Sequence, residues 1–545
     1  MPKLLRALCV QLICAGALAA GARAQDRPDE AEMFGAPAAE GGTTEPPAAT
    51  PSEPAPSEPA PGAVVDTTQP AVPAAAEPAK VAPELPPAST RDDSILGGSS
   101  TPMFDQPVAP EDPLTLGGQI YIRAQTRVFE DSSLGEASFN LPALVDLYFD
   151  ARPNDRVRGY VLGRMIYDPT SDVAGRQLLA GESASGSGTL ANLYGVPATG
   201  PQVRLDQLWL RFDIAHTVFI TAGKQHVRWG TGHVWSPTDY LHVRPRNPLE
   251  VFDARTGSSM VKVHLPIESN AWNFYAYGVA EGPDGVPSLE YLGGAARAEL
   301  VFGTTEIGLG AYAQKGIAPK FAADASTGIG DFDIFLEAAL RNLKDVDRVH
   351  YDPDAELPMP DAQEPWQSDT EYRMQVQQQY TDVRYPSYRA EGYRPQLVAG
   401  VAYSVKYNDN DVLTFSAEYF YNPLGYDNSD VYPGLLAPRS RPLTDPANYF
   451  YLGRHYAALV VSMPSPFSLD LHSFTLSTLG NLSDRSFVTQ LQYSLVLLTH
   501  LRLEAYIAAR YGRPTGEFRL RIELEGKTVI PAALFDSGIA LRLSI

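Results

Sequence analysis

The chain has 545 residues and two cysteines, Cys9 and Cys14, both inside its first 24 residues. That segment reads as an export signal. Lys3 and Arg6 give a positive start, Leu4 to Leu18 an apolar stretch, and Ala22-Arg23-Ala24 a small-residue cleavage site before Gln25. With residues 1–24 removed no cysteine remains, which excludes disulfides and any cysteine-based metal, redox or nucleophile chemistry. Neither cysteine follows the small residue that a lipoprotein signal needs, so no lipid anchor is expected. Beyond the signal no apolar run reaches about 18 residues, so no membrane-crossing helix is expected. No stretch has a convincing helical period either. Catalytic motifs are also missing. The nine histidines are scattered; His216, His226, His233, His242 and His264 show no H-E-x-x-H or comparable metal spacing, and no Gly-x-Ser-x-Gly elbow occurs. We therefore expect no enzyme, no cofactor and no metal site. The loop 343–395, rich in Asp, Gln and Tyr, lacks EF-hand spacing and reads as solvated loop.

Residues 25–113 lack Tyr and Trp and hold 19 of the 47 prolines, with 16 acids against 3 bases. Such a segment cannot bury enough apolar surface to fold and favours extended polyproline conformations. It is expected to be a disordered acidic tail. Most of the net charge of −21 resides there; residues 114–545 carry only −11, too acidic for a nucleic-acid partner.

From residue 114 to 545 almost every stretch alternates with period 2. Leu501, Leu503, Ala505, Ile507 and Ala509 share one face of a strand, and Arg502, Glu504, Tyr506 and Arg510 share the other. Ile539, Leu541, Leu543 and Ile545 alternate with Ala540, Arg542 and Ser544. Near the other end, Ile120 and Ile122 alternate with Arg123, Gln125 and Arg127. The connections alternate too. Short turns such as 152–155, 214–216 and 408–411 alternate with the long loops 168–201, 226–255, 281–291, 343–395 and 423–449. A soluble sandwich has no reason to segregate loop length this way, whereas a membrane barrel does. The expected fold is all-β: a transmembrane antiparallel β-barrel of about 18 strands (16–18), with outer-membrane lipid around it. An even count puts both barrel ends on the short-turn, periplasmic side, and the tail with them. The least clear segments are 319–327 and 516–531; the latter reads equally as a strand or as part of a long last loop. All 28 tyrosines follow residue 113. They suit interfacial girdles, and equally the strand preference of Tyr.

The inward faces would carry both signs. Arg123, Arg127, Arg158, Arg164, Arg502, Arg510 and Arg542 stand against Asp146, Asp150, Asp331, Asp333, Glu337, Glu418 and Glu504. A mixture of this kind is better suited to cross-strand ion pairs than to a ring of one sign.

One segment is distinctive: Gly223-Lys224-Gln225-His226-Val227-Arg228-Trp229-Gly230-Thr231-Gly232-His233-Val234-Trp235-Ser236-Pro237-Thr238-Asp239-Tyr240. It resembles porin-like outer-membrane barrels of Gram-negative proteobacteria, in which a strand ending Gly-Lys-Gln runs into a Trp-Gly motif and Trp-x-Pro-Thr-Asp. The likeness covers about 20 residues within a barrel-like stretch of roughly 430. It implies a loop folded into the lumen, with Arg228, His233, Asp239, Arg244 and Arg246 at a constriction. The alternative is that Trp229, Trp235 and Pro237 only wedge the loop onto the wall. The last strand ends on Ile545, where such barrels usually carry an aromatic residue.

The expected function is a porin-like channel for small hydrophilic solutes, lined by the constriction residues with Arg123, Arg127, Arg502, Glu504 and Arg510. The alternative is the barrel of a trans-envelope machine, for polysaccharide export or gliding motility, whose tail contacts periplasmic or envelope-complex proteins.

Overall fold

The structure is a computed structural model. It describes residues 113–545 apart from 134–136, 171–200, 243–244, 251–254, 283–286, 361, 365–366, 408–410, 442, 444–447 and 525–526. The export signal and the acidic tail lie outside the described residues.

The barrel wall contains β1 (Leu114–Phe129), β2 (Ala143–Asn154), β3 (Val157–Tyr167), β4 (Gln202–Ile214), β5 (Val218–Gln225) and β6 (Ser258–Ile267). It continues through β7 (Trp272–Val279), β8 (Gly293–Phe302), β9 (Thr305–Gln314), β10 (Ile317–Ile329), β11 (Phe332–Asn342) and β12 (Tyr393–Lys406). It ends with β13 (Val412–Tyr421), β14 (His455–Pro464), β15 (His472–Asn481), β16 (Ser486–Leu498), β17 (Leu501–Gly512) and β18 (Ala533–Ser544). Each pairs antiparallel with its chain neighbours, and β1 closes on β18 from Gln119↔Ser544 to Phe129↔Ala533. The sheet has 19 strands; one is the three-residue stub Ser138–Asn140, paired only with β1, and the other 18 form the closed wall. Closure leaves no edge strand with unpaired backbone groups.

The side chains are inverted relative to a soluble protein. Leu147, Phe149, Leu210, Leu309, Leu336, Leu459 and Leu541 are exposed on the outer face. Asp146, Asp150, Arg164, Asp206, Arg297, Asp324, Glu337, Glu418, Glu504, Asp536 and Arg542 are buried inside. Water would not tolerate a contiguous belt of this kind, whereas hydrocarbon matches it. The ladder and the belt together define a transmembrane β-barrel of outer-membrane type. Leu501, Leu503, Leu541 and Leu543 share the outer face by register.

Inside, oppositely charged residues brace neighbouring strands. Arg164 Nε and Nη2 reach Asp146 at 2.8 and 3.0 Å, and Arg297 grips Asp324 with two bonds at 2.7 and 2.9 Å. Arg158 and Arg152 converge on Asp150, Arg127 and Arg510 on Asp536, and Arg542 meets Glu504 at 3.2 Å. Bidentate guanidinium–carboxylate pairs out of water satisfy most of the donors and acceptors the strands bring inside.

Four sequence expectations need correction or resolution. Segment 319–327 is a full wall strand, within β10, whereas 516–531 is loop: its residues 522–524 and 527–530 pair as a small ribbon outside the wall. Asp331 sits in the turn before β11, not on the inner face. The loop 343–395 contains a helix, α1 (Asp369–Arg384), capped by Ser368 and Glu371, each bonding the other's backbone N–H. It is polar on nearly every side, so hydrophobic periodicity gave no sign of it, although Ser-x-x-Glu is itself a helix-start signature. Finally, several tyrosines are interior rather than interfacial: Tyr121, Tyr277, Tyr312 and Tyr456 are buried.

The short turns gather at one end with both termini of the wall. The glycine tips Gly303 and Gly330 adopt φ of 64° and 63°, which β-carbon-bearing residues resist. The long connections gather at the other end, with tight exceptions at Lys315-Gly316 and 482–485.

Candidate functional site

The connection between β5 and β6 turns into the lumen. Its sequence explains how. Trp229 is buried against Gly310, where a β-carbon would lie 3.0 Å from the indole. Trp235, fully buried, stacks on Phe420 at 5.7 Å and donates its indole N–H to Phe450 O at 3.1 Å. Both indoles therefore wedge the loop onto the inner face of the wall.

Between the indoles the backbone wraps around two wall carboxylates. Glu337 of β11 accepts N–H bonds from Thr231 (3.1 Å), Gly232 (3.0 Å) and Thr238 (2.8 Å), and the Thr238 hydroxyl at 2.7 Å. Glu418 of β13 accepts from the N–H groups of His233 (2.8 Å), Val234 (3.1 Å) and Trp235 (2.8 Å). A carboxylate accepts at about four lone-pair sites, so these two satisfy the backbone N–H groups of residues 231–235 and 238, in a segment that has no ladder of its own. Glycine makes the wrap feasible. Gly230 has φ of 98°, and a β-carbon there would sit 2.4 Å from Glu337 Oε2; one on Gly232 would sit 1.9 Å from Trp235 O.

The loop borders two charged cavities. The first, about 180 Å³, is lined by Arg228, His233, Asp239 and Arg246, with Arg255, Lys320 and Arg341. The second, about 130 Å³, is lined by Arg123, Arg127, Glu504 and Arg510, with Glu250 and Asp536. The structure thus sorts the sequence candidates into two groups. In the first, Arg228 bonds Gly232 O across the loop, and His233 Nδ1 lies 3.2 Å from Ser416 Oγ. Asp239 meets Arg255 at 2.9 Å and His242 at 3.0 Å. Burial opposes ionisation of Asp239, but His242 and Arg255 outweigh it and hold the group down at about 2. In the second, Arg123 reaches Glu250 at 3.5 Å, and Arg510 donates to Tyr449 Oη at 2.7 Å. Arg502 faces inward opposite Arg542 by register but borders neither cavity. Arg244 lies outside the described residues.

Sequence reasoning named Glu337 and Glu418 as inward charges but not as loop anchors; it noted Arg255 after the distinctive segment and Arg341 on its strand without counting either among the constriction residues, and it missed Lys320. The available signal was one acid near the middle of each apolar strand, at a depth where a charge needs a partner.

Further loops close over the same space. Tyr449 packs edge-on against Phe450 and Phe518, which meet each other at a tilt. Above them Tyr432, Leu435 and Leu436 of a short helix, α2 (Tyr432–Leu436), cluster with Leu452, Leu520, Ile522 and Ile530. A polar hub joins these loops. Glu517 accepts from Phe450 N (2.5 Å), Tyr456 Oη (2.6 Å) and Asn481 Nδ2 (2.9 Å). Asp484 accepts from Tyr432 Oη (2.8 Å) and Glu517 N (2.8 Å). Burial, aided by the Asp484 charge, pushes Glu517 up to about 8. Among the described residues no group of three or more His, Cys, Asp or Glu is arranged to hold a metal ion.

No family model and no curated protein matches the chain. Among solved structures it is similar to the outer membrane protein OpdK of Pseudomonas aeruginosa: 7% identity, 79% of this chain, 98% of that chain, TM-score 0.43. It is also similar to Pseudomonas aeruginosa OccK9 (OpdG), with 10% identity, 79% and 98% coverage and TM-score 0.43. A third is Acinetobacter baumannii OccAB4, with 8% identity, 80% and 98% coverage and TM-score 0.42. The barrel stands on its own strand ladder, independently of these likenesses.

Proposed function

We propose that the protein is a porin-like outer-membrane channel for small hydrophilic solutes, with the β5–β6 loop as its constriction. The observation that carries this reading is the inward loop itself, pinned by Glu337 and Glu418 and flanked by two polar cavities. An 18-stranded wall encloses far more room than side chains fill, so it conducts unless loops occupy it. Here loops occupy much of it, and the expected path is narrow. The first cavity has five Arg or Lys against two Asp, which favours anionic over cationic solutes. The test is planar-bilayer recording of the purified barrel under a KCl gradient. Discrete current steps with a reversal potential on the chloride side support the channel; absence of any step from inserted protein overturns it. Residues 25–113 fit an acidic periplasmic arm for envelope partners. If deleting them leaves partner pull-down and phenotype intact, that role is refuted.

A further inference from the structure

The root of the constriction loop contains a chain of hydrogen bonds that no part of the channel reading requires. Asp206 is a bulged residue of β4: Leu162 pairs with Gln207 and Gly163 with Leu205, so Asp206 has no opposite number and turns inward. His226 Nε2 lies 3.1 Å from Asp206 Oδ1. His226 Nδ1 lies 3.3 Å from His242 Nε2. His242 Nδ1 lies 3.0 Å from Asp239 Oδ2. The sequence runs carboxylate, imidazole, imidazole, carboxylate.

Counting protons shows what this chain of contacts requires. An ionised carboxylate only accepts, so both outer nitrogens, His226 Nε2 and His242 Nδ1, must carry hydrogen. The central contact needs one more hydrogen, on either ring. Three protons on two imidazoles make the pair singly charged. With two protons, either two lone pairs face each other or one carboxylate loses its bond; with four, two N–H groups collide.

The bonded neighbours favour that charge, while Arg228, Arg246, Lys320 and Arg341 of the first cavity, which His242 also lines, oppose it. From β3, Arg164 reaches Asp206 at 3.5 Å; from β2, Asp146 pairs with that same Arg164; within the loop, Arg255 pairs with Asp239. The exposed Arg204 stands opposite Arg164 in register and bonds Gln202. Gln119 of β1 donates to Asp146. The bonded cluster holds three carboxylates and two guanidiniums, and one positive charge on the imidazole pair balances it.

The same cluster ties both roots of the loop to the wall. His226 is its first residue, and the Gly257 N–H at its other root donates to Asp206 O at 3.1 Å. We propose that His226 and His242 share a single extra proton and form a pH-sensitive latch: protonated, it ties the roots of the β5–β6 loop to β4, and losing that proton breaks one bond of the chain and loosens those roots. As a control on the constriction the latch rests on the channel reading; as a device for docking the loop it does not.

The experiment scans pH from about 5 to about 9. Backbone hydrogen exchange of residues 226–242 is measured in the full chain in detergent and corrected for intrinsic exchange, beside bilayer conductance. In the wild type, protection should fall by about tenfold across one proton-release step, the equivalent of one lost hydrogen bond. In H242Q the amide both donates and accepts without titrating, so the step should vanish with protection retained; H226Q should behave likewise. A wild type with no step, or a step that persists in both variants, overturns the latch. A protection step without current keeps the latch and sinks the channel.

Discussion

Replacing Glu337 by alanine isolates the docking of the β5–β6 loop from the stability of the wall. The β11 ladder to β10 and β12 runs through backbone groups and does not use the Glu337 side chain. The side chain, 2% exposed, accepts three N–H bonds and one hydroxyl from the loop. Hydrogen bonds to a charged group contribute about 1.5–3 kcal/mol each, so four set a ceiling of roughly 6–12 kcal/mol. Such bonds are not additive, and water entering the vacated polar space recovers part of the loss. A net cost of about 3–5 kcal/mol to docking remains, roughly two to three and a half orders of magnitude in the docking equilibrium. Hydrogen exchange of residues 231–238 should accelerate accordingly, while amides of β10–β12 keep their protection. E337Q should fall between the two, because its amide retains one acceptor but turns donors toward the Thr231 and Gly232 N–H groups or toward Thr238. Exchange in 231–238 that stays within about threefold of wild type would refute the pinning argument, since even one lost bond exceeds that.

Three further outcomes are expected. Asp146→Ala takes from the buried Arg164 its two-bond carboxylate partner, with Asp206 more distant at 3.5 Å, and should lower stability by about 2–4 kcal/mol in urea unfolding from micelles. Glu517 is raised from its ordinary 4.5 to about 8, so the folded protein holds a proton that the unfolded chain releases; stability should fall as pH rises from about 4.5 to about 8, and E517Q should flatten that slope in pH-dependent thermal melts. Leu309→Arg, on the lipid face of β9, should cost about 2–4 kcal/mol in the same unfolding assay and impair insertion into vesicles.

The wall was legible because a strand repeats every two residues and the barrel demands that repeat on every strand. Leu541 and Leu543 against Arg542 is the whole argument in three residues. The loop was partly legible: two tryptophans and two glycines within Trp229 to Trp235 are hard to explain on a solvated tip. Its anchors were not. Glu337 and Glu418 look like any inward charge until the fold brings them to amides about 100 and 185 positions away in sequence, a separation no local pattern encodes. The helix α1 escaped because it buries no stripe, and the His226–His242 pair because a separation of 16 positions matches no ligand spacing.

The central claim is that the β5–β6 loop sets the width of the path through the barrel. Single-channel conductance tests it most directly, comparing the wild type with a variant in which residues 229–240 are replaced by a short Gly-Ser linker. Small discrete steps in the wild type and several-fold larger ones in the variant are predicted. Equal conductance in the two proteins would contradict the account.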